Sequence, residues 1–262
     1  MMTWETLYHA GLKNNAILLF VFFATLLTYH VHSLINGIYL PTTARHVWNS
    51  QNKPLLVIMI GIALAGTVYF FLPFVHRPIP FVLAGLLTFL YSAPNLRGKA
   101  FAFLRSIAVG KTFYLAFMWT FSTTLLPLLA LDADTSTTNN AFTLSRFFLV
   151  YPICILFDRR DMQEDRSKGI RALPTLLNDK SLGYIYYGSL FLSMFFALAF
   201  NWPDFHISSF FLFLPPLICM FLFGFTRHRK GDLLYYIVLD GLMMLSAVLQ
   251  AIYLFSFTFV TR

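Results

Sequence analysis

"FFLVYPICILFDRRDMQEDRSKGIRALPTLL", residues 147–177, begins as an unbroken apolar run and turns abruptly into charge. The change at Asp158 decides the fold class, because the same pattern of apolar stretch and basic loop recurs along the whole chain. The stretch holds four of the eleven acidic residues and five of the nineteen basic ones in a 262-residue chain that is 58% hydrophobic and 11% charged. With 31 Phe, 13 Tyr and a mean hydropathy of +0.69, this composition excludes a water-soluble globular domain.

A bilayer core about 30 Å thick needs roughly 20 apolar residues per helical span. Eight stretches meet or approach that requirement, near 15–39, 54–75, 79–96, 107–131, 142–157, 182–200, 208–225 and 232–257. The expected fold is therefore an all-α, multi-pass transmembrane bundle of about eight spans, a single membrane-embedded domain over 1–262. The fifth stretch is short, so its helix is expected to continue beyond the membrane into the charged run. The apolar stretch after residue 14 is too long for a cleaved signal peptide and is expected to stay as a span. Cys154 and Cys219 lie in separate apolar segments and read as packing residues.

The net charge of +8 follows the positive-inside rule rather than a nucleic-acid surface. Alternate loops carry the clusters at 97–105, 159–171 and 227–230, while the opposite side keeps Lys13, Arg77, Arg146 and Arg262. The first side is expected to be cytoplasmic, with both termini external and the membrane the cytoplasmic one. The loop "DADTSTTNNA", 132–141, has the polarity of a solvated external connection.

Continued as a helix, the charged run places Asp158, Asp161 and Asp165 at i, i+3 and i+7, on one stripe. Three like charges so close repel unless a cation sits among them. Mg²⁺ takes one or two carboxylates and fills its other positions with water and phosphate oxygens. Arg160, Arg166, Lys168 and Arg171 stand ready for further phosphate oxygens. The plainer reading is a solvated loop whose basic excess merely sets topology.

The segment resembles the second aspartate-rich motif of the UbiA-type prenyltransferase superfamily, approximately D-x-x-D-x-x-x-D-R-x-x-G-x-x-T-L-P. Asp158, Asp161, Asp165, Arg166, Gly169, Leu173 and Pro174 match, with Ala172 where Thr is common. The resemblance implies Mg²⁺ held against the diphosphate of a prenyl donor by Asp161 and Asp165, with Asp158 supporting. "LYSAPNLRGKAFAFLRS", 90–106, is similar to the family's Tyr-Ser-x-Pro loop and its basic cluster. That implies diphosphate contacts from Arg97 and Lys99, joined by Arg166 and Lys168, with Tyr91 in the pocket. Helix order agrees with the family if its usual first helix is missing. The implied activity is transfer of an isoprenyl group from a prenyl diphosphate to a lipophilic, aromatic or quinone-like acceptor within membrane lipid.

The family's first motif, N-x-x-x-D-x-x-x-D, has no counterpart. In "TYHVHSLINGIYLPTTARH", 28–46, the acidic positions fall on Leu34 and Ile38 counted from His30, or on Leu40 and Ala44 counted from Asn36. No Asp or Glu occurs between Glu5 and Asp132. His30, His32 and His46 offer donors there, but His is a poor ligand for Mg²⁺. A non-catalytic UbiA-like lipid binder therefore stands beside the enzyme reading, and a small transporter stands as a reading from another class. Asp240, about eight residues into the last span, is a costly intramembrane carboxylate that marks a pocket or an ion pair, with Lys111 as the expected partner.

Overall fold

The computed structural model describes residues 1–39, 48, 51–92, 111–133, 136–167, 172–202, 207–226 and 234–260. They fold as helices joined by short connections, with no strand among them. A short α1 (Met2–His9) leads into α2 (Asn15–Tyr39), α3 (Lys53–Phe71, extended by a 3₁₀ turn over Leu72–Phe74) and α4 (Pro78–Ser92). The next rod has three parts: α5 (Lys111–Thr120), a π-helical turn (Phe121–Leu125) and a final turn (Leu126–Ala130). Then come α6 (Thr137–Ser167), a four-residue α7 (Leu173–Leu176), α8 (Asp179–Asn201), α9 (Ile207–Phe225) and α10 (Asp240–Val260, preceded by a π turn over Leu234–Leu239).

Six of these rods are long and apolar enough to cross a membrane: Asn15–Leu34, Lys53–Phe74, Lys111–Ala130, Thr138–Gln163, Asp179–Asn201 and Leu234–Ser256. Two shorter apolar helices, Pro78–Leu90 and Ser209–Phe225, fall on the remaining expected stretches. The outer faces of the helices are apolar: Phe221 is 81% exposed, Tyr184 80% and Ile79 71%. Such surface has no place in water and suits lipid.

α6 is the central post, running 31 residues from the polar segment at its start into the charged run. Val150, Ile153, Ile155 and Leu156 are fully buried, in one core with Leu182, Tyr186 and Leu190 of α8 and Leu239 and Leu242 of the last rod. Small residues bring α6 and α8 close, as expected where lipid supplies no hydrophobic drive between helices. Ser145 Oγ donates to the carbonyl of Ser193 at 3.0 Å and Ser193 Oγ returns the bond to Ser145 at 3.0 Å. Tyr186 ties α8 to α9, donating to the Cys219 carbonyl at 2.6 Å. Cys154 and Cys219 are buried free thiols in this core.

A second core joins α2, α4 and the end of the α5 rod around Ile17, Phe20, Phe81, Phe121 and Leu126. α3 leans on α2 through Gly66, where a Cβ would come within 2.5 Å of the Phe23 ring. Asn14 starts α2 by accepting from the Ile17 amide at 3.1 Å, and Asn178 starts α8 by accepting from Ser181 at 2.8 Å. Arg77 and Asp132 pair between two connections, so the loops after α3 and after the α5 rod share one end of the bundle.

One expectation about charge is corrected. Arg146, counted from the sequence among the charges that set topology, is 2% exposed inside α6. Its guanidinium pairs with Glu5, itself 1% exposed on α1. An uncompensated charge at that depth is costly, so the fold brings the carboxylate to it by packing α1 against the last rod and the π turn of the α5 rod.

Candidate functional site

The expected carboxylate stripe exists as backbone geometry, since α6 stays helical through Asp158, Asp161 and Asp165. The three occupy different environments. Asp158 is 3% exposed and sits where α5 begins. Lys111 Nζ lies 3.4 Å from its Oδ1, and Thr112 Oγ1 donates to its Oδ2. Lys111 thus brings its charge to Asp158. Asp240, half-buried, opens the α-helical part of the last rod.

Asp161 stands one turn further along α6, with its side chain 38% exposed. Arg160 grips it in two-pronged fashion, Nε to Oδ1 at 2.7 Å and Nη2 to Oδ2 at 3.3 Å. That guanidinium is held by the aromatic rings of Phe157, Tyr235 and Tyr236, at 5.3, 4.8 and 5.0 Å from the ring centres. Thr112, Tyr235 and Tyr236 are participants that sequence reasoning missed. Only their position after a span boundary could have signalled them.

A cavity of about 280 Å³ opens at this end of the bundle, lined by Arg159, Met162, Arg166, Pro174, Leu177, Asp179 and Leu182. Arg159, Met162 and Arg166 follow one another at i, i+3 and i+7, a stripe one residue away from the aspartates and so about 100° round the helix. Asp179 pairs with Arg159, both of its oxygens accepting from Nη2 at 2.9 and 3.1 Å. Arg159 also donates to the Phe223 carbonyl at 2.8 Å and packs on the Phe223 ring at 4.5 Å. Arg166 is exposed.

Asp161 and Asp165 lie four residues, about one turn, apart along α6, and carboxylates as a class are hard oxygen donors of the kind divalent cations take. Asp158 fits less well, because Lys111 already compensates it in a buried setting. Among the described residues no three His, Cys, Asp or Glu side chains converge on one point. The side chains of Asp165 and Tyr91, and residues His46, Arg97, Lys99, Lys168 and Arg171, lie outside the described set. His30 is half-buried, its Nδ1 2.8 Å from the Leu26 carbonyl within α2.

Comparison with known proteins found no matching family model, no matching curated protein and no matching solved structure, which leaves the functional reading to motif and geometry.

Proposed function

We propose that the protein is an integral-membrane prenyltransferase of UbiA type, transferring an isoprenyl group from a prenyl diphosphate to an aromatic or quinone-like acceptor. The observation that supports it most is the placement of the motif. Asp161 and Asp165 ride on the part of a buried central helix that leaves the apolar core, while Asp158 is anchored inside that core.

In this reading Asp161 and Asp165 would hold Mg²⁺, and the ion would supply charge neutralisation for the diphosphate. Arg160 orients Asp161, its two-pronged grip fixing where the carboxylate points. Lys111 and Thr112 fix Asp158, and with it the start of α5 against α6. Arg97, Lys99, Arg166 and Lys168 serve as cations for the remaining phosphate oxygens, facing the cytoplasm. Lipid-facing helices let the prenyl tail and the acceptor arrive from the bilayer.

A second reading has its own support. The first aspartate motif is missing, and both described carboxylates of the second already have cationic partners, which favours a UbiA-like bundle that binds an isoprenoid without turnover.

Binding of a prenyl diphosphate to purified protein, with and without Mg²⁺, tests both. Asp161→Ala or Asp165→Ala should weaken Mg²⁺-dependent binding at least tenfold; affinity unmoved by either substitution and by chelator would overturn the metal site. Turnover with a panel of acceptors separates enzyme from binder. Tags at residues 136 and 168 should report opposite sides of the membrane.

A further inference from the structure

α1 is eight residues long and carries Thr3, Glu5 and Thr6, yet all three are buried. Three elements hold it. Thr6 Oγ1 donates at 3.1 Å to the carbonyl of Thr123, in the π turn of the α5 rod. Arg146 of α6 pairs with Glu5 Oε2, and Ser246 of α10 donates to that same oxygen at 3.2 Å. The ion pair cancels its own charge, so the cluster as a whole is polar but neutral.

One turn beyond Ser246 on α10 lies Gln250, 1% exposed, and neither its amide nitrogen nor its amide oxygen has a hydrogen-bond partner. Arg146 Nε is likewise without one. The hydroxyls of Thr120 and Thr124, beside Thr123 on the α5 rod, are buried and unpartnered too. A buried amide stripped of water and given nothing in return destabilises the fold, and lipid outside the bundle supplies no donor. A π turn beside the cluster is a further mark, since such turns concentrate at functional sites.

The missing partner has a defined chemistry. A cation would satisfy the amide oxygen but not the nitrogen; an anion would do the reverse. We infer that Gln250, one turn from the Ser246 that bonds Glu5, forms a buried binding site for a neutral group that both donates and accepts hydrogen bonds, a bound water or the hydroxyl head of an amphiphile.

Gln250→Met tests this, because Met keeps the length and removes both polar atoms. An occupied site loses its hydrogen bonds, and Tm should fall by roughly 3 °C or more. An empty one sheds a desolvation penalty, and Tm should hold or rise. The variant and the unaltered protein are melted in two preparations, one retaining co-purified lipid and one extensively delipidated. A fall in both identifies water; a fall only with lipid identifies an amphiphile hydroxyl. An unchanged or raised Tm in both overturns the site. Should the variant not fold, high-resolution density of the unaltered protein decides: a feature within hydrogen-bond distance of both Gln250 amide atoms supports the site, and a bare amide overturns it.

Discussion

α6 carries one buried charge toward each end, Arg146 and Asp158, twelve residues and so ~18 Å apart along the axis. Both are compensated from other helices, but in different ways. Arg146 is enclosed, with Glu5, Ser246 and the Phe142 ring around it and no exposed charge next to it on α6. Asp158 begins a graded sequence: buried and tied to Lys111 first, then Asp161 at 38% exposure, then the exposed Arg166 at the cavity mouth. The same helix thus encloses one charge and leads from the other into exposed charge, and burial of the neighbours makes the difference.

The sharpest way to break this contrast is Glu5→Ala. It leaves Arg146 buried without a counter-charge, a loss of about 4 kcal/mol, so Tm in detergent should fall by roughly 10 °C or the protein should fail to accumulate. Replacing both partners by apolar residues, Glu5→Leu with Arg146→Met, should recover most of the loss. A single variant as stable as the parent would show that the pair does not hold α1.

The site end should respond less. Asp158→Ala removes the acceptor of Thr112 and the partner of Lys111, costing about 2–3 kcal/mol; Lys111, 28% exposed, can recover some hydration. Asp161→Ala, one turn on, should cost at most about 1 kcal/mol, because its pair with Arg160 is partly solvated. Chemical denaturation of the two variants side by side measures the difference. Equal losses would erase the gradient on which the site reading depends.

The sequence made the helices legible because lipid selects them by composition, and every expected apolar stretch holds an apolar helix. The continuation of α6 into the charged run was legible for the same reason, a span too short to stop at Asp158. The Glu5–Arg146 pair was not. Its partners are 141 positions apart, and a charge on a mostly apolar chain reads most simply as a loop charge. The division among the three aspartates was hidden too, since spacing alone puts Asp158 and Asp161 on one face but says nothing of Lys111 and Thr112 arriving from α5.

His9 provides a milder probe of the closed end. It sits one turn after Glu5, its ring 5.1 Å from that of Phe142 and 5.0 Å from that of Phe200. Burial lowers its pKa from the ordinary 6.5 to about 4; the Glu5 carboxylate 3.9 Å away is already engaged by Arg146. The folded protein therefore keeps His9 neutral where the unfolded chain would protonate it. Above pH 6.5 both states are neutral and the residue has no influence on the pH dependence; between 6.5 and about 4 the unfolded chain binds the extra proton, and stability falls as pH falls. The loss should reach about 2 kcal/mol at pH 5, read as a declining Tm from pH 7 to pH 5. His9→Phe, which keeps an aromatic ring among Phe142 and Phe200 but cannot take a proton, should flatten that decline. An identical decline in the variant would move the acid sensitivity away from α1 and leave the closed end of α6 indifferent to pH.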